Sequence, residues 1–335
     1  MLNERRRRVL QALVEEYIAS AIPVGSKTLV NRYELGCSPA TVRNELSILE
    51  ETGYVVQPHV SAGRMPTDTG YRSFVDDLLE NGGPPLEGGG DATGMMHRAS
   101  EVDELMRETS LALTRLTDCL AVVLSPSVSL ARVKRIDLVS MAPRRALMVL
   151  ITESGQVVNR SIDLAEETVP ARLGEVERAL NAAFDAKRAA DIRSLRVALE
   201  TAHQREALVP RVVDEILDAL EEADRDRLYH VGIPALLAQP EFNDAARARP
   251  LIEFLENQLS MLEALSDALG NRELTVRIGH ENHRAELGNV SIVAINYGVG
   301  SGDGVVGVIG PTRMNYSRAM AAVRVVADGL SEALA

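Results

Sequence analysis

The chain has 335 residues and a formal net charge of −12, with 46% hydrophobic residues but only 3% aromatic and no Trp. That length suggests two or three domains with aliphatic cores, and no apolar run is long enough to span a bilayer. Two cysteines, Cys37 and Cys119, cannot define a disulfide scaffold or a zinc site. The chain runs directly into an Arg-rich helix, with no apolar stretch of signal-peptide kind, so a soluble cytoplasmic protein is expected.

Residues Asn3 to Ser20 predict an amphipathic helix whose stripe is Val9, Leu10, Leu13, Val14, Tyr17 and Ile18. Arg5, Arg6, Arg7 and Arg8 crowd its first turn, where cations oppose the helix dipole. They read either as a solvated charge run or, in part, as phosphate contacts. Ser26 can cap a short helix from Lys27 to Tyr33, and Glu34 to Cys37 makes a turn. Ser38 then caps a second helix with Pro39 at its first position. Val42, Leu46 and Leu49 define its buried face, and Gly53 stands where the helix should stop. The opposite face carries Thr41, Arg43, Asn44 and Ser47, side chains suited to base edges in a major groove. Tyr54 to Gln57 and Arg64 to Pro66 are short extended runs around a loop from Pro58 to Gly63. This is the order of a helix-turn-helix followed by a wing, so residues 1–80 predict a winged helix-turn-helix DNA-binding domain.

Ser38, Thr41, Arg43 and Asn44 are the base-facing candidates, with Ser47 on the same face. Lys27, Thr28, His59, Ser61 and Arg64 are candidates for phosphate or minor-groove contact, and Ser26 joins this DNA-facing group. The acidic total works against phosphate binding, but screening limits the penalty to about 10 Å. The acid is expected elsewhere, as in Glu215 to Asp226, beside a locally basic DNA-facing surface.

Thr67 can cap a further helix with Tyr71, Phe74, Val75 and Leu78 inward. Residues 81–94, rich in Gly and Pro, read as a flexible linker. A helical stripe follows, from Val102 to Leu120. Then come strand-like runs CLAVVLS, VKRIDLVSM, RALMVLIT and GQVVNRSIDL, the last of them an antiparallel meander. Val169 to Phe184, Asp191 to His203 and Val209 to Ala223 are helical. A short extended run at Leu228 to Ile233, a long helix from Pro250 to Leu269, three closing strands and a helix from about Ser317 to Leu334 complete the chain. The pattern suits an α+β sensor module of the GAF or PAS sort.

No catalytic constellation stands out. GSGDG, Gly300 to Gly304, lacks the Lys-Ser/Thr of a phosphate loop and reads as a hairpin turn. His280, Glu281 and His283 lie too close together on a strand end to face one metal ion. Arg313, Asn315 and Tyr316 lie at a helix start and read as capping, with partner binding the alternative. No enzyme, metal or cofactor is expected.

PVGSKTL, SPATVRNEL and LEETGYVVQPHVSAGRMPTDTGYR closely resemble the start of the heat-inducible transcription repressor family HrcA. VSIVAINYGVGSGDGVVGVIGPTRMNYSRAM resembles that family's C-terminal signature, and LYHVGIPALLAQPEF a looser third block. The resemblance implies a winged helix, a GAF-like domain and an inserted dimerisation domain, an α+β multidomain chain. It also implies a homodimer on an inverted-repeat operator of double-stranded DNA upstream of chaperone genes, kept active by the GroEL chaperonin. On this reading the GAF-like domain spans 95–141 and 226–335, and the insertion 142–225. An insertion from Ala190 to Gly270 is the competitor. A regulator gated by a small ligand in the GAF-like domain is the alternative function, and an enzyme with an appended DNA-binding module is the rival of another class.

Overall fold

The computed structural model describes residues 2–81, 102–128, 130–153, 155–188, 191–194, 208–225, 227–268, 274–298 and 304–334. The expected linker therefore lies outside the described residues apart from Asn81, as do most of the helix expected from Asp191 to His203 and most of GSGDG.

Helix α1 (Glu4–Ser20) starts where the Asn3 side chain accepts the Arg6 amide at 2.8 Å, and it buries Val9, Leu10, Leu13 and Val14. Helix α2 (Ser26–Arg32) begins differently from expectation. Gly25 occupies the cap position without a side-chain bond, and Ser26 is the first helical residue, buried. Helix α3 (Pro39–Glu51) starts as its sequence demands, with Ser38 Oγ accepting the Thr41 amide at 3.2 Å and Pro39 needing no partner. Strands β1 (Val55–Val56) and β2 (Met65–Pro66) pair antiparallel, and Val24 bridges to Arg64 with backbone bonds of 2.8 and 2.9 Å. Gly63 makes that approach possible, since a Cβ there would lie 2.4 Å from the Val24 carbonyl carbon. Helix α4 (Asp68–Glu80) follows, capped by Thr67.

After α5 (Val102–Thr117), strand β3 (Leu120–Leu124) enters a five-stranded antiparallel sheet of order β7-β3-β10-β9-β8. The other members are β7 (Leu228–Val231), β8 (Thr275–Ile278), β9 (Val290–Tyr297) and β10 (Gly304–Pro311). Every residue of β3 and β10 is buried, because helices cover both faces of the sheet. Ala121, Val123, Val306 and Val308 face α5 and the closing helix α11 (Tyr316–Ala333). Leu120, Val122, Val305 and Ile309 face α8 (Ile233–Leu237), α9 (Ala245–Glu256) and α10 (Gln258–Ala268). Helices α8 to α10, inside the competing insertion range, thus belong to this core.

Between β3 and β7 lies a separate three-stranded meander, β4 (Val133–Ala142), β5 (Arg145–Thr152) and β6 (Val157–Asp163), with α6 (Pro170–Phe184) and α7 (Leu208–Arg225). Ile136, Met148, Leu150 and Ile162 bury against Leu180, Phe184, Val213 and Ile216 in their own core. The other face of this sheet carries Val139 opposite Leu147, Val149 opposite Asn159, and Ile151 opposite Val157. Strand β4 belongs by its hydrogen bonds to this meander, although it precedes the Ala142 boundary expected from the sequence. The two ends of the excursion meet: Leu124 pairs with Leu228, and the Ser125 amide donates to the Arg227 carbonyl at 2.9 Å. Asp224 clamps the same neck, accepting from Ser127 Oγ and from the Val128 amide at 2.8 Å.

Candidate nucleic-acid interface

Helix α3 turns Val42, Leu46 and Leu49 inward and leaves Ala40, Arg43, Asn44, Ser47 and Glu51 along one outward stripe. Arg43 and Asn44 are exposed, and neither side chain has a bond to another described residue. Ser47 is half-buried and donates back to the Arg43 carbonyl at 3.1 Å. Ser38 and Thr41 share a hydroxyl contact of 3.0 Å at the helix start, so both are partly committed to the cap. The helix N-terminus adds its own partial positive charge there. On α2, Lys27 is exposed and Thr28 half-buried. Ser26 is buried, which removes it from the group able to touch a ligand, because the first turn of α2 packs inward.

The loop between β1 and β2 is held from inside. Gln57 Nε2 donates to the Val60 carbonyl at 3.0 Å and the Ala62 carbonyl at 2.8 Å, and the Ala62 amide donates to the His59 carbonyl. His59 and Ser61 are exposed beside Val60, whose side chain is 100% exposed at the tip. Sequence reasoning missed Gln57 and Val60. The available signal was an apolar residue alone in a polar loop, preceded by an amide long enough to brace it. Arg64 departs from expectation: its Nε and Nη2 both donate to Glu50 Oε2, at 3.2 and 2.7 Å. It braces the start of β2 to α3 and its charge is already matched.

Two of the four N-terminal arginines are matched in the same way. Arg6 pairs with Glu45 at 3.1 Å, Arg7 with Asp77 at 3.6 Å, and Arg8 donates to the Glu34 carbonyl. Residues 1–80 hold nine Lys and Arg against eleven Asp and Glu, so the expectation that the acid lies elsewhere is corrected. Ion pairing on the flanks offsets much of it. Among the described residues of this unit, Arg5, Arg8, Lys27 and Arg43 are exposed cations without an ion pair, and of these Arg8 is held by a backbone carbonyl.

The polar residues outside this unit that the sequence singles out have structural employment. Asn315 caps α11, its side chain accepting the Arg318 amide at 3.0 Å. Arg313 does not cap; it pairs with Glu241 at 2.6 Å and donates to the Ile18 carbonyl. The His280 ring meets Asp68, and Glu281 holds Arg72. Burial pushes the Cys119 thiol up to about 12, leaving it protonated and unreactive at neutral pH. No described helix is long and apolar enough to cross a membrane.

The family model for the HrcA protein C-terminal domain matches residues 103–320. The heat-inducible transcription repressor HrcA of Streptomyces avermitilis is 41% identical over 342 residues, covering 100% of this chain and 99% of that protein. The repressor of the same name from a Nocardioides species is also 41% identical, with the same coverage. A crystal structure described as that of a hypothetical protein, at 2.2 Å resolution, aligns with a TM-score of 0.69 and 23% identity, over 100% of this chain and 99% of the other. The mixed helix-and-sheet fold is therefore shared along the whole length.

Proposed function

The chain belongs to the HrcA family of heat-inducible transcription repressors, and from that premise we propose that it represses chaperone genes as a homodimer on an inverted-repeat operator. Residues 1–80 act as a winged helix-turn-helix, with α3 entering the major groove and the loop after β1 lying along the backbone. The observation that carries this reading is the outward stripe of α3, where Arg43 and Asn44 stand exposed and unpaired beside a wing braced by Gln57. Base-reading side chains are Arg43 and Asn44, with Ser38, Thr41 and Ser47 at the margins. Lys27, Thr28, His59 and Ser61 attend the backbone.

The five-stranded sheet with α5 and α8 to α11 is the GAF-like domain. We take the inserted unit as Ser125–Arg227, a reading supported by the bond between those two residues across the neck. Its outer sheet face, with Val139, Leu147, Val149, Ile151 and Val157, offers the apolar surface for pairing two copies. Control by a GroEL-type chaperonin agrees with the topology. β3 and β7 pair only after the whole insertion has been made, and such non-local pairing is slow and exposes sticky edges meanwhile.

Footprinting the full chain on the region upstream of its chaperone genes tests the reading. Protection of two half-sites related by a two-fold axis is expected, with a binding end point that rises when chaperonin and ATP are supplied. Protection of a single half-site by a monomer would overturn the dimeric repressor, and an unchanged end point would remove chaperonin control.

A further inference from the structure

The N-terminal unit does not hang free of the rest. Its residues Val9, Leu13, Tyr71 and Phe74 belong to the same apolar core as Val276, Ile278, Tyr316 and Val323. The contact is made by polar pieces of high definition. Asp68, at the start of α4, accepts both the His280 amide at 3.0 Å and the His280 ring Nδ1 at 2.8 Å. Its carboxylate sits where residue 279 has no side chain. A Cβ on Gly279, whose φ is +51°, would lie 2.3 Å from Asp68 Oδ2.

One turn along α4, Arg72 spends all three of its nitrogens. Nε donates to Glu281 Oε1 at 2.8 Å and Nη2 to Glu281 Oε2 and to the Val276 carbonyl, while Nη1 reaches Asp76. Glu281 is itself held by the Ile278 amide at 2.9 Å, and buried Asn282 ties the same turn to the carbonyls of Gly279, Leu287 and Val290. Between the polar groups, Tyr71 packs on Tyr316 with ring centroids 5.8 Å apart.

A second anchor sits at the end of α1. Arg313, paired with Glu241, donates to the Ile18 carbonyl at 3.0 Å in the negative last turn of that helix. Two anchors on two helices block rotation about either one alone. Neither anchor uses a residue of α3 or the wing loop.

We propose that Asp68 and Arg72 of α4, clasped on His280 and Glu281, are positioning residues that set the half-site spacing the repressor accepts. This rests on the dimeric DNA-binding reading above. If two copies pair through the inserted unit, the distance between their recognition helices depends on the angle each N-terminal unit makes with the body carrying it. A rigid clasp turns that angle into a fixed distance, and a displacement of about 3.4 Å along the duplex is one base pair. Loosening the clasp leaves each recognition helix intact and removes only the discrimination between spacings, because a tethered module then reaches many separations with similar effective concentration.

The test uses the full chain and an inverted repeat selected by the unaltered protein from a random duplex pool. Its half-site separation is then varied by one to five base pairs, with a single half-site as control. The unaltered chain should lose about tenfold in affinity for a spacing change of a base pair or two. Arg72→Met and Glu281→Gln should each flatten the profile to within about threefold, and the double variant no further, because both remove one interaction. Single half-site affinity should not move. Arg72→Lys, which keeps the charge, should retain part of the discrimination.

If Arg72→Met proves unstable by thermal melting, Glu281→Gln carries the comparison. A variant that keeps the full spacing profile, or effects of the two substitutions that add, would overturn the proposal. Failure of the dimeric reading looks different: the unaltered chain would then not prefer any inverted repeat over the single half-site, and the proposal would fall with it.

Discussion

Two sides of the N-terminal unit treat charge in opposite ways. On the side of α3 and the wing loop, Lys27, Arg43, Asn44, His59 and Ser61 project outward, and none bonds through its side chain to another described residue. On the side of α4 and the end of α1, Arg72, Asp68 and the Ile18 carbonyl are all engaged by the following domain. Polar residues crowd both surfaces, so composition cannot tell them apart. Whether a charge has its counter-charge decides whether it serves a ligand or the architecture. An exposed unpaired cation loses little on meeting a phosphate, whereas a paired one must first give up its partner.

The largest effect that would break this contrast is expected at Gly63. A Cβ there meets the Val24 backbone, so Gly63→Ala should cost about 3 kcal/mol, as overpacking of a tight contact does. Chemical denaturation reads that loss, and the wing should open before the rest of the unit. A stability within error of the unaltered chain would mean the wing is not held against Val24.

Next come the outward side chains of α3. Arg43→Ala and Asn44→Ala should each weaken specific operator binding by about 1–3 kcal/mol while non-specific binding barely changes. If specific and non-specific affinity fall together in a filter or fluorescence titration, these residues touch phosphate and the assignment of base reading is wrong.

Arg64 sharpens the contrast from the other direction. It was grouped with the DNA contacts, and it is in fact bonded to Glu50 on α3. Arg64→Ala should cost about 1 kcal/mol of stability, and Glu50→Ala should cost about as much through the same interaction. Melting of the single and double variants decides this; an additive pair would return Arg64 to the DNA-facing set.

The smallest effect concerns salt. With Arg5, Lys27 and Arg43 as the exposed cations of each unit whose side chains bond no other described residue, a dimer neutralising about six phosphates should show a log–log salt slope of about −5. A much steeper slope would show that Arg6, Arg7 and Arg64 leave their carboxylates to reach the backbone, and the two sides would no longer be distinct.

Much of the α3 side was legible along the chain, since its causes are local. Ser38 caps, Pro39 opens the helix, and Val42, Leu46 and Leu49 turn inward within a dozen residues of one another, so periodicity and capping rules place them. The bond of Arg64 to Glu50 was not legible because its partner lies on a different element, α3. Ser26 was misread because burial depends on what α2 packs against.

The boundary of the insertion shows the same limit at larger scale. The alternation in Val133 to Met141 announces a strand without saying which sheet it joins. Only its pairing with β5 puts it in the three-stranded meander rather than in the five-stranded sheet. The fully buried strands β3 and β10 likewise read as continuous apolar runs, and nothing in them told that helices cover both faces.

By itself, then, the sequence determined the local elements, the order of two short helices and a two-stranded hairpin, and the family, because short-range sterics, caps and long shared motifs are written residue by residue. The tertiary structure alone decided which arginines are free, which sheet β4 joins, and that the N-terminal unit is clasped to its neighbour. Arg72 and Glu281 are 209 positions apart, and a charge pair at that separation leaves no periodicity or spacing in the chain. It exists only once folding has closed the distance and excluded the water that would otherwise have served either partner.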